Sequence, residues 1–307
     1  MVNGSGTDGV VGRRRWPVAV GAALGGCTLV AASAVPAGAH GADRHDDGAR
    51  YVALGDSYTS GPLIPTQVDA NCLRSDRNYP SLVAARREVS TFRDVSCSGA
   101  TTAEMWKAQG TNGPQLDALT RNTRLVTVQI GGNDVGFSSV IATCAQLGSA
   151  DPTGNPCKTH YGSAGYDQLT LNVVQTAPKV DRVLRAVRAR APHARVLVVG
   201  YPDQLPDDGS GCFSASVPFA AKDFPYLRDS EKRLNLMLRL VAGWNHVEYV
   251  DTYTPTIGHD MCKSASERWI EPLRPSSPAA PAHPNARGEQ AMADAVLRRL
   301  DRGHGRH

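Results

Sequence analysis

Aromatic residues are scarce in this 307-residue chain, at 6% of the sequence, and its arginines are scattered rather than gathered into one block. The first shortage removes a stacking platform for nucleic-acid bases, and the second removes a concentrated basic patch. Net charge is only +4, so no nucleic-acid partner is expected. No Cys-x-x-Cys or His-x₃-His spacing occurs, which leaves zinc ligation unsupported and no metal or organic cofactor expected. No internal repeat is visible. What remains is 41% hydrophobic and 20% charged, the composition of a globular protein.

The first 39 residues have the layout of an export signal. Arg13-Arg14-Arg15 forms a positive end, residues 16–35 are almost wholly apolar and small, and Ala37-Gly38-Ala39 fits a small-residue cleavage site. A single membrane anchor and lipidation at Cys27, in Leu-Gly-Gly-Cys, are the weaker readings, because the apolar run continues past Cys27 and ends at Pro36. The expected division is a signal peptide at 1–39, a disordered polar terminus at 40–49 and one domain at 50–303. The mature chain keeps Cys72, Cys97, Cys144, Cys157, Cys212 and Cys262. An even number of cysteines in an exported protein implies disulfides. Of the possible pairings, the sequential one (72–97, 144–157, 212–262) closes the shortest loops and is expected.

Strand candidates recur at 51–54, 93–95, 125–130, 195–199 and 247–250. Several are Val/Leu/Ile runs without polar alternation, as suits strands buried on both faces. Helical patterns separate them. Residues 79–88 form one, and Val180, Val183, Leu184 and Val187 mark a single apolar face. Leu234, Met237, Leu238 and Val241 repeat that spacing, and Met292, Val296, Leu297 and Leu300 approximate it. Strands alternating with helices predict a mainly parallel sheet covered on both sides. Three Gly/Pro/Asp/Ser-rich stretches, 59–78, 136–167 and 200–220, read as long loops, each with cysteine. The Pro-rich segment 271–284 cannot be helical and reads as an extended arm ending at His283.

The chemistry gathers at strand ends. Tyr-Val-Ala-Leu-Gly-Asp-Ser-Tyr at 51–58 delivers Ser57 at the carboxyl end of the first strand, where open α/β sheets place ligands. Gly99 follows the second strand and can turn a bare backbone N–H toward a ligand. Asn133 follows the third, and its amide can donate to an oxyanion. In a parallel sheet these ends share one edge, so the three can converge. His283 would supply a base. His259, in Gly-His-Asp-Met-Cys at 258–262, is the rival base.

Four ordered blocks carry a resemblance: Gly-Asp-Ser-Tyr at 55–58, Ser-Gly-Ala-Thr at 98–101, Gly-Gly-Asn-Asp at 131–134 and His-Pro-Asn at 283–285. With them the chain resembles the SGNH, or GDSL, hydrolases over roughly 51–300, and within them the secreted actinobacterial lipases, esterases and phospholipases. The resemblance implies a three-layer α/β/α, flavodoxin-like domain with a five-stranded sheet. It implies Ser57 as nucleophile, His283 as base, and an oxyanion hole from the N–H groups of Ser57 and Gly99 and the Asn133 side chain. The chain lacks the Gly-x-Ser-x-Gly elbow of the α/β-hydrolases. It also departs from the family's Asp-x-x-His, because position 280 is Ala280. A Ser57–His283 dyad is therefore expected, with the backbone carbonyls of Ala280 or its neighbours as candidates to orient His283 and Glu271 the remote candidate for a third member. The expected activity is a secreted, monomeric lipase or carboxylesterase acting on lipid acyl esters through an acyl-enzyme, touching lipid surfaces transiently. Phospholipase A, carbohydrate acetyl esterase and a catalytically silent binding module are the alternatives.

Overall fold

Short runs of Val, Leu and Tyr build a sheet only if both of its faces are covered, and here both are. The computed structural model describes residues 50–302. The expected signal peptide 1–39, the terminus 40–49, Cys27 and residue 303 lie outside the described residues. The described residues begin with β1 (Tyr51–Gly55), the single-turn α1 (Ser57–Ser60) and a small antiparallel hairpin of β2 (Gln67–Asp69) and β3 (Arg74–Ser75). There follow α2 (Tyr79–Arg86), β4 (Phe92–Asp94), β5 (Leu125–Gln129), α3 (Phe137–Ala150), α4 (Pro156–Gly162) and α5 (Gln168–Arg190). The chain then forms β6 (Arg195–Val199), α6 (Phe224–Trp244), β7 (Glu248–Val250) and α7 (Ala286–Asp301).

The five long-range strands pair in the order β4-β1-β5-β6-β7, all parallel. Successive side chains of a strand point to opposite faces. Accordingly Val52, Leu54, Val126, Val128, Val196 and Val198 pack with α5 and α6 on one side. Tyr51, Ala53, Leu197, Val199 and Val250 pack with α2 and α7 on the other. Truncating one of the fully buried residues, such as Leu184, costs about 2–5 kcal/mol. The sheet is thus the core of the three-layer, flavodoxin-like arrangement. Winding starts at β1, moves outward to β4, then returns to β5 on the other side. That reversal opens a crevice at the carboxyl ends of β1 and β5, the usual ligand position in such sheets.

Two of the three long stretches read as loops hold regular structure. Residues 136–167 contain α3 and α4, and residues 59–78 contain the β2–β3 hairpin. In α3, Phe137, Val140, Ile141 and Cys144 do recur at helical spacing. The signal is diluted by Ser, Thr, Ala and Gly, and the helix starts at Gly136 (φ 88°) with no side-chain cap. Tertiary contact supplies what local preference does not. Cys144 is bonded to Cys157 of α4, and both are fully buried in a third apolar cluster beneath the long loops. The other disulfides are Cys72–Cys97 and Cys212–Cys262. Residues 200–220 have no regular element, as expected.

Candidate active site

Ser57 stands where β1 gives way to α1. Gly55 closes the strand, and only glycine fits there: a Cβ would lie 2.1 Å from Thr59 Oγ1 and 2.7 Å from the Gln129 carbonyl. The backbone of Gly55 is clamped by Gln115, whose amide accepts from its N–H (2.8 Å) and donates to its carbonyl (2.9 Å). Asp56 caps α1, accepting the Tyr58 N–H at 3.0 Å. Its other oxygen accepts the Tyr201 hydroxyl at 2.5 Å. Burial pushes the Asp56 carboxyl up to about 7, against the lowering effect of these hydrogen bonds. The residue braces the turn.

His283 Nε2 lies 2.7 Å from Ser57 Oγ. Its Nδ1 lies 2.7 Å from the Pro281 carbonyl. A carbonyl only accepts, so Nδ1 carries the proton and Nε2 is left to accept from the serine hydroxyl. Burial pushes the imidazole down to about 4, with the Pro281 carbonyl acting in the opposite direction. At neutral pH the ring is therefore uncharged.

The carbonyl is aimed by a tight turn. The His283 N–H donates to the Ala280 carbonyl at 3.2 Å, with Pro281 and Ala282 between them. Ala282 has φ 59°, in the left-handed region. Proline second and positive φ third is the pattern of a type II turn. Neighbours hold it in place. The Tyr58 hydroxyl donates to the Ala282 carbonyl at 2.6 Å, and the Tyr58 ring lies 4.8 Å from that of His283. Glu271 pairs with the arm through its backbone, its N–H donating to His283 O (2.9 Å) and its carbonyl accepting from Ala282 (3.0 Å). The segment 271–284 is non-helical as expected, but it is not an extended arm: Ile270 bridges antiparallel to Pro284, so residues 271–283 close into a loop that folds back on itself.

The Glu271 carboxylate does not reach His283. It accepts from Asn285 Nδ2 at 2.9 Å and pairs with Arg268 at 3.2 Å. Burial is the strongest influence on it and raises its pKa, but the Asn285, Ser276 N–H and Arg268 hydrogen bonds outweigh that and hold it below the usual carboxylate range. His259 is engaged elsewhere. It stacks on Trp269 with centroids 3.5 Å apart, and its Nδ1 meets the Glu267 carbonyl at 2.7 Å.

Gly99 has φ 82°, a conformation that favours glycine. Two residues earlier, Cys97 is tied to Cys72, and the Ser98 N–H donates to the Cys72 carbonyl at 3.0 Å. Asn133 Nδ2 donates to the Ala100 carbonyl at 2.8 Å, which joins the loop after β5 to the loop after β4. Among the described residues, the N–H groups of Ser57 and Gly99 donate to no protein acceptor. Asp134 secures the same junction by accepting from Thr102 N (2.8 Å) and Thr102 Oγ1 (2.7 Å).

A small apolar cavity of about 70 Å³ opens beside these loops, lined by Val135, Phe137, Ile141, Val173, Leu205 and Leu234 among others. Phe137 also meets the His283 ring edge-on at 6.1 Å. Glu231 lines the same cavity, and burial raises its carboxyl well above the usual range. Tyr58, Tyr201 and the Pro281 carbonyl belong to the site although the sequence did not single them out. Tyr58 carried a signal, since it ends the Gly-Asp-Ser-Tyr block. The carbonyl was foreseen only as one of those at Ala280 or its neighbours. Among the described residues no group of three or more His, Cys, Asp or Glu is arranged to hold a metal.

A serine hydrogen-bonded to a neutral imidazole beside free backbone donors is an arrangement built for acyl transfer. The chain belongs to the GDSL-like lipase/acylhydrolase family, matching it over residues 53–291, and it is an ester hydrolase of that lipase and esterase family. It is 41% identical to Lipase 2 of Streptomyces coelicolor over 80% of this chain and 84% of that one. Phospholipase A1 from Streptomyces albidoflavus superposes with a TM-score of 0.68 at 28% identity, over 82% of this chain and 99% of that one. The extracellular lipase of Streptomyces rimosus gives 0.66 at 28% identity, over 81% and 98%.

Proposed function

We propose that this protein is an exported serine lipase or carboxylesterase that cleaves lipid acyl esters through a Ser57–His283 dyad. The carrying observation is the chain of two 2.7 Å contacts, Ser57 Oγ to His283 Nε2 and His283 Nδ1 to the Pro281 carbonyl. In the first half-reaction the Ser57 oxygen attacks the ester carbonyl while Nε2 takes the hydroxyl proton. The carbonyl oxygen becomes an oxyanion, received by the N–H groups of Ser57 and Gly99 and the amide of Asn133. Collapse of the tetrahedral intermediate breaks the bond to the alcohol, which leaves with the proton from Nε2. Water then repeats the sequence on the acyl-serine, with His283 again as base, and releases the acid.

The apolar lining beside the dyad, with Val135, Phe137, Ile141 and Leu234, favours an apolar acyl chain over a polar one. Export into an oxidising compartment is supported by the three disulfides and by the leader-like residues 1–39. The domain is proposed to span 50–303 and to act as a monomer.

The test uses p-nitrophenyl esters of increasing chain length on wild type and Ser57→Ala, together with a serine-directed phosphonate. Turnover that rises beyond acetate, vanishes in Ser57→Ala and is accompanied by one label on Ser57 supports the reading. Full activity in the variant, or labelling elsewhere, removes it. A fold-intact protein inert toward every ester would be the silent binding module.

A further inference from the structure

We propose that Tyr201 is a positioning residue for the oxyanion hole, its hydroxyl fixing the separation between the Ser57 N–H and the Asn133 amide. The inference rests on the roles given above to Ser57, Gly99 and Asn133. Those three groups stand on three separate loops, after β1, β4 and β5. Two of the loops are joined directly, since Asn133 Nδ2 donates to the Ala100 carbonyl at 2.8 Å. The turn that carries Ser57 is joined to the Asn133 loop by way of Tyr201. The Gly132 N–H donates to the Tyr201 hydroxyl at 2.8 Å, and that hydroxyl donates to Asp56 Oδ2 at 2.5 Å. Gly132 immediately precedes Asn133 in the chain, and Asp56 immediately precedes Ser57. The last sheet bond between β1 and β5 comes earlier, where the Asp56 N–H meets the Gln129 carbonyl at 3.1 Å.

The partners leave the hydroxyl one way to be shared. An amide N–H only donates, so the Tyr201 oxygen accepts from Gly132 and its own proton goes to Asp56. Tyr201 is itself held from behind. Its backbone is clamped by Asn235 of α6, whose side chain accepts the Tyr201 N–H at 2.8 Å and donates to its carbonyl at 2.9 Å. The ring is 2% exposed and meets the Tyr58 ring edge-on at 5.1 Å. The other end has no slack, because a Cβ at Gly132 would lie 3.0 Å from the hydroxyl oxygen. Tyr201 thus reaches from the end of β6, past the loop after β5, to the turn after β1, and its length sets how far apart the two stand. Oxyanion donors act within a narrow range, about 2.7–3.1 Å from the oxygen they receive. A misplacement of about 1 Å costs on the order of a hundredfold in rate.

The experiment measures kcat and KM for p-nitrophenyl butyrate in wild type, Tyr201→Phe, Asn133→Ala and the Tyr201→Phe/Asn133→Ala double variant. Tyr51→Phe is the control. It also removes a buried hydroxyl, bonded to Thr127 at 3.0 Å, but from the opposite face of the sheet. Tyr201→Phe should lower kcat about tenfold or more, and kcat/KM by the same factor, because the oxyanion exists only in the transition state. Tyr51→Phe should leave both unchanged. The losses at Tyr201 and Asn133 should not multiply: once the Asn133 amide is gone, Tyr201→Phe should cost no more than about threefold. A purely structural bond would change the melting temperature without this coupling. Gly132→Ala pushes the same contact apart and should show the same fall in kcat and the same non-additivity, so it carries the test if Tyr201→Phe does not fold. Full kcat in Tyr201→Phe, a change confined to KM, or losses that multiply with Asn133→Ala overturn the positioning role and leave the hydrolytic reading standing. An unaltered kcat in Asn133→Ala overturns the oxyanion assignment itself, and the inference with it.

Discussion

His283 is held neutral well below the ordinary imidazole range by the position the fold gives it, and that has a kinetic signature. Burial, opposed only by the Pro281 carbonyl, puts its pKa at about 4. The proposed mechanism needs the neutral ring, so kcat/KM should stay level from neutral pH down to about 5 and fall only as the pH approaches 4. A rate profile between pH 3.5 and 8 checks this. An acid limb centred near 6.5, the ordinary imidazole value, would mean that the ring is better solvated than its surroundings imply. Glu271 tests the dyad from the other side. Glu271→Gln removes the charge that faces the 11%-exposed Arg268, and breaking a buried pair in this way costs about 3–5 kcal/mol. Denaturant unfolding should show that loss while kcat of the folded variant stays within about tenfold of wild type. A thousandfold fall in kcat with stability intact would make Glu271 a third member of the site.

At the scale of elements, the loop that carries Gly99 depends on a covalent tie. Cys72–Cys97 closes a separation of 25 residues, and its removal should cost about 2–4 kcal/mol. Because the tie sits two residues before Gly99, Cys72→Ser/Cys97→Ser should lower kcat more than it raises KM. The reverse pattern would locate the damage in substrate binding. The same scale shows what the sequence could tell. All five parallel strands were legible; in the central ones, burial on both faces leaves apolar runs such as 195–199, whereas the edge strands β4 (Phe-Arg-Asp) and β7 (Glu-Tyr-Val) are shorter and more polar. Ser57 and Asn133 stand where the sequence placed them, at the carboxyl ends of β1 and β5, whereas His283 comes from the loop before α7 and is read from its sequence block rather than from a strand end. Helices α3 and α4 were not legible, since small residues blur their apolar spacing and a disulfide does part of their packing. The acceptor for His283 was legible only as a carbonyl of Ala280 or its neighbours, since every residue has a carbonyl and only the path of the turn selects Pro281.

For the whole molecule, buried carboxyl groups shape the response to pH. Desolvation raises Asp56 to about 7 and Asp203 to about 6, and pushes Glu231 and Glu289 well above the usual range. A group whose pKa is raised by folding stabilises fully below its unfolded value, near 4, and loses that contribution as pH rises through the folded value. Asp56 and Asp203 place this loss between about pH 4 and 7. His283 has the opposite sense: its contribution is present above about 6.5 and is lost as pH falls toward 4. With more groups in the first class, the melting temperature should be higher near pH 5 than at pH 8. Calorimetry at fixed ionic strength measures it, and Asp203→Asn should flatten the slope between those points. A maximum at pH 8 would mean that the buried carboxyls are hydrated.

The peptide carbonyl of Pro281 has a consequence for genetics. No codon specifies it, so no single base change deletes it. A saturation screen for lost hydrolysis in protein that still accumulates should strike Ser57 and His283 hard and return no aspartate or glutamate of equal severity. Weaker alleles should gather instead where the turn is shaped, at Tyr58, Pro281, Ala282 and Asn285. Heredity would then see a two-residue catalyst, with the third contribution spread over many codons of small effect.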